Sequence, residues 1–444
     1  MSDALPLPPR PRLDQYKKVA RDLQRACSSG TPDAIHQWAT RTVATIARLR
    51  GKPDDVGNIG ALSREVERIE RRWNDFRGKA TRGDRCLLVD AQFFVAREHG
   101  FASWPKFAAH LESLSQGRST VANFEAAADA IVAGDITTLR TLLRDHPGLA
   151  RARSTRDHHS TLLHYVSANG VEDFRQITPP NIVDITKLLL DHGAEVNAES
   201  EAYGGGSTAL GLAATSIHPE KAGVQIELLE LLLSRGAEIE KPGLTGNQSS
   251  AVWGCLANGQ GGAARFFADR GARMNLAEAA GVGRLDLVKT YFDDEGRLTA
   301  GATREQLESG FLYACGYGRT ETVRFLLERG ADPGLRHAGG ETALHWTSYG
   351  PHVEVAALLL ERGAPIDARD NRFHATPLDW SVYAWANATD ANDRDRAYHL
   401  IALLCRAGAK PDVERFGEEV ATRSRADERL QAAFRGEYKQ SEAG

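Results

Sequence analysis

The stretch GETALHWTSYGPHVEVAALLLERGAPIDA, residues 340–368, decides how the whole chain is read. Thr342 stands where its side chain can cap the free amides that open a helix. The later run VEVAALLLERG carries its apolar residues along one face and ends in a polar turn, the pattern of a helix packed on one side. Gly363 follows, where a residue without a Cβ can take the left-handed conformation that closes a helix. Two short antiparallel helices of this kind cannot hide their apolar faces from water unless a neighbour covers them.

The neighbours are present. The closing phrase recurs as LLLDHGAEVNA (188–198), LLLSRGAEIEK (231–241), FFADRGARMNL (266–276), FLLERGADPGL (325–335) and LLCRAGAKPDV (403–413). Its glycines are Gly193, Gly236, Gly271, Gly330, Gly363 and Gly408. Gly330 and Gly363 stand 33 residues apart, and Gly236 and Gly271 stand 35 apart. The intervals of 43, 59 and 45 read as one repeat with an insertion, two repeats, and one repeat with an insertion. The opening phrase recurs as STLLHYVSANG (160–170), STALGLAATS (207–216), SSAVWGCLANG (249–259) and ATPLDWSVYA (375–384). With the helix pairs at 128–149, 277–296 and 307–332, about eight units cover roughly 121–412.

This pattern resembles the ankyrin repeat, whose hallmark is G-x-TPLHxAA-x-x-G-H-x-x-V-x-x-LL-x-x-GAD. Residues 340–368 match it best, departing at Ala343 for the proline, at Thr347 and Ser348 for the alanines, and at Pro351 for the glycine. A tetratricopeptide array has a similar period, but its aromatic-glycine signature is absent. The resemblance implies an all-α fold, an ankyrin-type helix-turn-helix solenoid of about eight repeats. The array is expected over 118–412, after an N-terminal helical leader domain (1–117) and before a C-terminal capping helix and tail (413–444). The leader itself resembles the helical module that precedes ankyrin arrays in bacterial proteins.

The leader does not repeat. Residues 13–30 read as a basic amphipathic helix, 31–51 as a second with Pro32 in its first turn, Gly51–Gly60 as a loop, and 63–80 as a charged helix. Val66, Ile69, Trp73 and Phe76 share one face of that third helix. Residues 87–114 read as two helices broken at Gly100, with Ser103 capping the second. Phe93, Phe94, Phe101, Trp104 and Phe107 are expected to form a small aromatic core against the first repeat. Insertions at 171–182, 217–224 and 384–396 are expected between the two helices of their repeats, as tolerated surface loops or as binding contacts.

Composition narrows the function. Lys+Arg 55 against Asp+Glu 59 gives a net charge of −4, with no general attraction for nucleic acid or an anionic membrane. No stretch is apolar enough for a membrane span or a signal peptide, so a cytoplasmic protein is expected. The cysteines Cys27, Cys86, Cys255, Cys315 and Cys405 are odd in number and form no CxxC, which suggests small buried thiols and neither a zinc site nor a disulfide framework. No phosphate loop, nucleophile elbow or HExxH occurs, and Gly204-Gly205-Gly206 falls in a hairpin tip. Asp157-His158-His159 reads as a chance loop cluster and not a metal site. No cofactor or metal is expected.

The ankyrin resemblance gives His164 and His345 a structural role, bonding the hairpin backbone. It places partner contacts at hairpin tips and at the two residues after the alanine pair of each first helix. Those are Ala168 and Asn169, Thr215 and Ser216, Ala257 and Asn258, Gly316 and Tyr317, Tyr349 and Gly350, and Tyr383 and Ala384. Tyr317, Tyr349 and Tyr383 would line up along the concave face, with Arg336, His337, Arg372 and Phe373 at its edge; Trp346 and Trp380, one turn away, are expected to fill the core between repeats. The expected function is a non-catalytic scaffold holding an unidentified protein partner in that groove. The alternative is an enzyme or small-molecule receptor, with a pocket between the N-terminal helices and the repeats or under the insertions. A third reading has the leader covering part of the groove as an internal regulator.

Overall fold

The computed structural model describes residues 4–8, 10–31, 33–49, 59–79, 85–117, 119–240 and 250–438; Pro32 and most of the expected Gly51–Gly60 loop lie outside them. Of the described residues, 62% are helical. Strands among the described residues amount to Glu199–Ser200 paired antiparallel with Ser207–Thr208, so no sheet forms a centre. The chain forms two compact units, Met1–Gly254 and Cys255–Gly444.

The first unit opens with five helices: α1 (Leu13–Ser28), α2 (Ala34–Leu49), α3 (Ile59–Gly78), α4 (Leu88–Glu98) and α5 (Trp104–Ser115). They enclose a core of their own, in which Tyr16, Leu23, Trp38, Ile69, Trp73, Phe94, Phe101 and Phe107 are buried. The ring of Phe94 meets Trp73 edge-on at 5.1 Å. Phe93 remains partly exposed at the margin and stacks on Phe76 at 5.7 Å. As the sequence implies, Ser103 caps α5 by accepting from the Lys106 amide. The α4–α5 corner turns at Gly100, whose φ of +82° strains any residue with a Cβ and where an added Cβ would crowd the Ala4 Cβ at 3.3 Å.

Helix pairs follow: α6 (Thr120–Ala133) with α7 (Ile136–Asp145), α8 (Leu162–Tyr165) with α9 (Ile182–Asp191), and α10 (Ala209–Ala214) with α12 (Gln225–Ser234). The insertion 217–224 folds between the last pair as α11 (Ile217–Lys221). Next come α13 (Ala251–Ala257), which carries the division between the units, and α14 (Gly261–Ala268). The second unit continues with α15 (Leu276–Val282) and α16 (Leu285–Thr290), α17 (Arg304–Gly316) and α18 (Thr320–Glu328), α19 (Ala343–Tyr349) and α20 (Val353–Glu361), and α21 (Pro377–Asn387) and α22 (Ala391–Arg406). Two short helices, α23 (Glu418–Ala426) and α24 (Glu428–Phe434), end it. Its core runs from Leu276 through Phe311, Leu326, Leu359 and Ile401 to Leu430, each fully buried or nearly so.

The local chemistry is the one the repeats imply. All six repeat glycines have φ between 79° and 109°. Thr161, Thr208, Ser250, Thr342 and Thr376 each cap the first helix that follows. The threonine–histidine pairs do more. The Thr161 amide donates to Nδ1 of buried His164 at 3.1 Å, so the ring proton sits on Nε2 and is donated to the Ser207 carbonyl of the next hairpin at 3.1 Å. His345 repeats this, accepting from the Thr342 amide at 3.0 Å and donating to the Ala375 carbonyl at 3.0 Å. Each histidine ties one repeat to the next.

Three sequence expectations are corrected. The insertion 384–396 is no loop: its residues lengthen α21 to Asn387 and α22 back to Ala391, because AWAN and DRDRAY continue helices already started. The insertion 171–182 is no surface loop either, since Val171, Glu172 and Arg175 are buried. Glu172 lies 2.8 Å from Arg156, and Glu125 of α6 lies 2.5 Å from Arg156 and 2.8 Å from Arg175. Arg175 also reaches Asp129 at 2.6 Å, and Arg156 sits 5.6 Å from the Phe101 ring centre. The two guanidiniums and three carboxylates therefore fasten the leader, the first hairpin and the insertion together. Burial opposes charge on Glu125, but Arg156 and Arg175 outweigh it and hold its carboxyl at about 2. Thirdly, Cys27 and Cys86 form a disulfide 59 residues apart, leaving Cys255, Cys315 and Cys405 as thiols. No spacing rule announces a bridge between the end of α1 and the approach to α4.

Alkylating the denatured, unreduced protein should therefore modify three cysteines by mass, whereas modification of all five would reject the bridge. Acid should loosen the first unit. Burial lowers His99, His110 and His164 to about 4, so between pH 6.5 and 4 the unfolded chain takes up protons that the folded chain refuses. Stability is then complete above pH 6.5 and falls by up to about 1.4 kcal/mol per pH unit for each histidine as the pH drops to 4. A urea midpoint unchanged across that window would contradict this. Glu172→Gln, which leaves Arg156 short of a buried counter-charge, should cost about 3 kcal/mol by the same assay.

Candidate protein-binding surface

In the second unit, helix α19 ends at Tyr349 and helix α21 carries Trp380 and Tyr383, three residues apart and hence on one face. Tyr349 is 57% exposed and Tyr383 49% exposed, and their rings lie nearly parallel, 19° apart, with centres at 6.5 Å. Trp380 stands edge-on to Tyr349 at 6.1 Å and to Trp346 at 6.0 Å. The neutral ring of His345 backs Trp380 at 5.5 Å. Two exposed phenols thus stand together, Tyr349 against a half-buried indole and Tyr383 against Tyr349.

Asp370 fixes that indole. Its buried carboxylate accepts from the Trp380 indole at 3.0 Å and from the amides of Arg372 (2.9 Å), Phe373 (2.5 Å) and Ala375 (3.3 Å). Burial pushes the Asp370 carboxyl up, but these donors outweigh it and hold it below the usual carboxylate range. The same bonds shape the hairpin tip, where Phe373 is 58% exposed under the guanidinium of Arg372 at 4.9 Å. Arg415 supports the tip from behind, donating to the Phe373 carbonyl at 2.9 Å and pairing with Asp379.

The remaining predicted residues divide. The expected row of three tyrosines is a pair, because Tyr317 is half-buried and donates its hydroxyl to the Leu256 carbonyl at 2.6 Å. Its ring lies where a Cβ on Gly261 would meet it at 2.7 Å, so the glycine makes room for it. Arg336 spends its guanidinium on the Gly340 and Arg369 carbonyls, joining neighbouring hairpins. His337 is exposed, 3.4 Å from Glu341 and edge-on to Trp346 at 6.2 Å. In the first unit, Asn169 is engaged internally, donating to Leu212 and Thr215 and accepting from Tyr203 at 2.6 Å. Asn258 is exposed on the other unit. Trp346, Trp380, Tyr349 and Tyr383 are linked ring to ring, with Phe373 and Arg372 at the hairpin tip that Asp370 joins to Trp380, whereas Tyr317, Arg336 and Asn169 spend their polar groups on bonds within the fold.

Sequence reasoning missed Asp370. Its signal was the tip A-R-D-N-R-F-H-A, where an aspartate ahead of the turn can accept from successive amides. Asp157 and His158 hold no metal cluster with their neighbours among the described residues. Asp157 pairs with Arg97 at 2.5 Å, and His158 lies 3.5 Å from Glu172.

A chain of stacked helical hairpins, whose first helices open on a threonine, serine or asparagine cap and most of whose second helices close on a left-handed glycine, belongs to the class of helical repeat proteins. Within that class it carries ankyrin repeats: the family model described as "Ankyrin repeats (3 copies)" matches residues 276–370 and 311–413. The chain is similar to Palmitoyltransferase Hip14 of Drosophila melanogaster, 33% identical over 109 residues, which is 24% of this chain and 15% of that protein. It is also similar to Ankyrin repeat and KH domain-containing protein mask-1 of Caenorhabditis elegans, 23% identical over 235 residues, 44% of this chain and 8% of that protein. The chain thus spans less than a sixth of either relative. Among solved structures, the ankyrin repeat domain of Bcl-3 aligns at 18% identity and a TM-score of 0.28, over 61% of this chain and 96% of that one. No helix among the described residues is long and apolar enough to cross a membrane.

Asp370→Ala should strand the indole and three amides, costing at least about 2 kcal/mol in urea unfolding and reddening the tryptophan emission. A loss below about 0.5 kcal/mol would show that Asp370 does not organise the tip.

Proposed function

We propose that this chain is a non-catalytic scaffold that holds a protein partner on the Tyr349–Tyr383 face of its ankyrin repeats. Ankyrin repeats are in general protein–protein interaction modules. The observation that carries the reading further is the pair of exposed, stacked tyrosines, of which Tyr349 stands against an indole that Asp370 immobilises. Aromatic side chains held rigidly at a surface offer a large contact area with little rotamer entropy to lose, which is the usual makeup of a binding hot spot. Phe373 and Arg372 extend the contact toward the hairpin tip, with His337 beside Trp346.

In this reading residues 1–117 are a leader domain, 118–412 the array and 413–444 a terminal cap, with the leader buttressing the first repeats through Arg156. The setting we propose is cytoplasmic, on the balance of composition; there the Cys27–Cys86 pair would be drawn toward the dithiol. Nucleic acid, membrane and cofactor have no part in the reading.

A double variant, Tyr349→Ala with Tyr383→Ala, should weaken the complex by about 2 kcal/mol or more, roughly thirty-fold in affinity. Both side chains are exposed, so the thermal unfolding temperature should stay near that of the parent. Affinity measured against a partner isolated with the parent protein checks both values, and undiminished binding would reject this face.

A further inference from the structure

A cavity of about 800 Å³ lies in the N-terminal helical module, not at its junction with the repeats, where the alternative reading had placed a pocket. Its size falls within the range of small-molecule sites. Helices α1 and α2 form its walls, and the segment around Pro6 and Pro8 runs along it. Tyr16, Val19, Trp38 and Ile46 give it an apolar interior.

The polar groups of those walls are mostly used up. The Trp38 indole donates to the Val19 carbonyl at 3.2 Å, and the hydroxyls of Thr42 and Thr45 donate to carbonyls within α2. Two are not. Tyr16 is 92% buried, and its hydroxyl has no hydrogen-bond partner among the described residues. His99, 95% buried, donates Nδ1–H to the Leu5 carbonyl at 2.9 Å, which leaves a lone pair on Nε2 without a partner. The two rings sit edge to face, 5.1 Å apart, both lining the cavity. Burial raises the Tyr16 phenol and lowers His99, so the pair stays one donor and one acceptor at neutral pH.

The mouth is charged. Arg10, Lys18 and Arg41 edge the cavity, all exposed and none paired with a carboxylate among the described residues. Asp22, the acid at the same edge, already faces Arg25 at 3.5 Å.

We infer that this cavity binds an amphipathic anion, an aliphatic carboxylate whose chain lies over Tyr16, Val19, Trp38 and Ile46 and whose headgroup meets Arg10, Lys18 and Arg41. The apolar interior excludes small hydrophilic anions, and the cationic mouth discriminates against amphipathic cations of the same length. This site is independent of the ankyrin face, so either can fail without the other.

The test is calorimetric titration of the full-length, delipidated protein with dodecanoate, below its micelle concentration, and with dodecylammonium and acetate as controls. Saturable 1:1 binding of dodecanoate is expected, at least tenfold tighter than dodecylammonium, with no heat from acetate. Lys18→Glu combined with Arg41→Glu, at exposed positions that leave the fold alone, should weaken dodecanoate at least tenfold. Ile46→Trp, which fills the interior, should abolish binding while the unfolding temperature confirms a folded protein. Should that variant misfold, the charge-reversal variant still decides. No binding of dodecanoate, equal binding of dodecylammonium, or indifference to the charge reversal would overturn the inference.

Discussion

No hairpin of this chain can bury its own apolar face, and everything else depends on that constraint. Leu326, Leu359 and Ile401 lie in second helices of successive repeats and reach zero exposure only because the next repeat covers them. Apolar contact alone would let one hairpin slide over another. Buried polar ties set the register. His345 accepts from its own Thr342 amide and donates one hairpin onward to Ala375, while His352 donates one repeat back to the Gly316 carbonyl at 3.0 Å. A neutral imidazole suits the task because each nitrogen has a single role, acceptor within the repeat and donor between repeats. Sliding by one residue would leave both unpaired in a dry interior, at a cost of several kcal/mol.

The same constraint decides what remains outside. Residues at the start of a first helix are consumed by stacking, as buried Leu344 and Leu378 show, whereas Tyr349 and Tyr383 lie beyond that segment and keep half their surface. Position alone does not make a contact residue. Tyr317 lies one position further along its own repeat, matching Gly350 where Gly316 matches Tyr349, and a carbonyl at Leu256 and the bare face of Gly261 draw it inward. The exposed pair is held instead by a chain of fixed partners from Asp370 to Trp380 to Tyr349.

What could be read in advance was the local chemistry. The glycine after each Leu-Leu run and the threonine before each first helix act within a few residues, so their spacing in the sequence is their spacing in space. The Thr–His pairs were legible for the same reason, three residues apart within one turn. What escaped was set by distance along the chain. Arg175 meets Glu125 across 50 residues, Cys27 meets Cys86 across 59, and Tyr317 meets Leu256 across 61. The insertion 384–396 was misread because its polar composition resembled a loop, although two flanking helices were able to absorb it. The leader's buried aromatic face was visible from Val66, Ile69, Trp73 and Phe76, but nothing in their order disclosed a cavity beside Tyr16.

The account rests on the claim that the surface left uncovered by stacking at Tyr349 and Tyr383 is where a partner sits. A photoreactive phenylalanine analogue placed singly at 349, 383, 328 and 361 measures this directly, since the last two positions are exposed on second helices of neighbouring repeats. Irradiation of the complex should join the partner to the protein from 349 and 383 and not from 328 or 361. Joining from 328 and 361 alone would place the partner on the opposite helices and contradict the account.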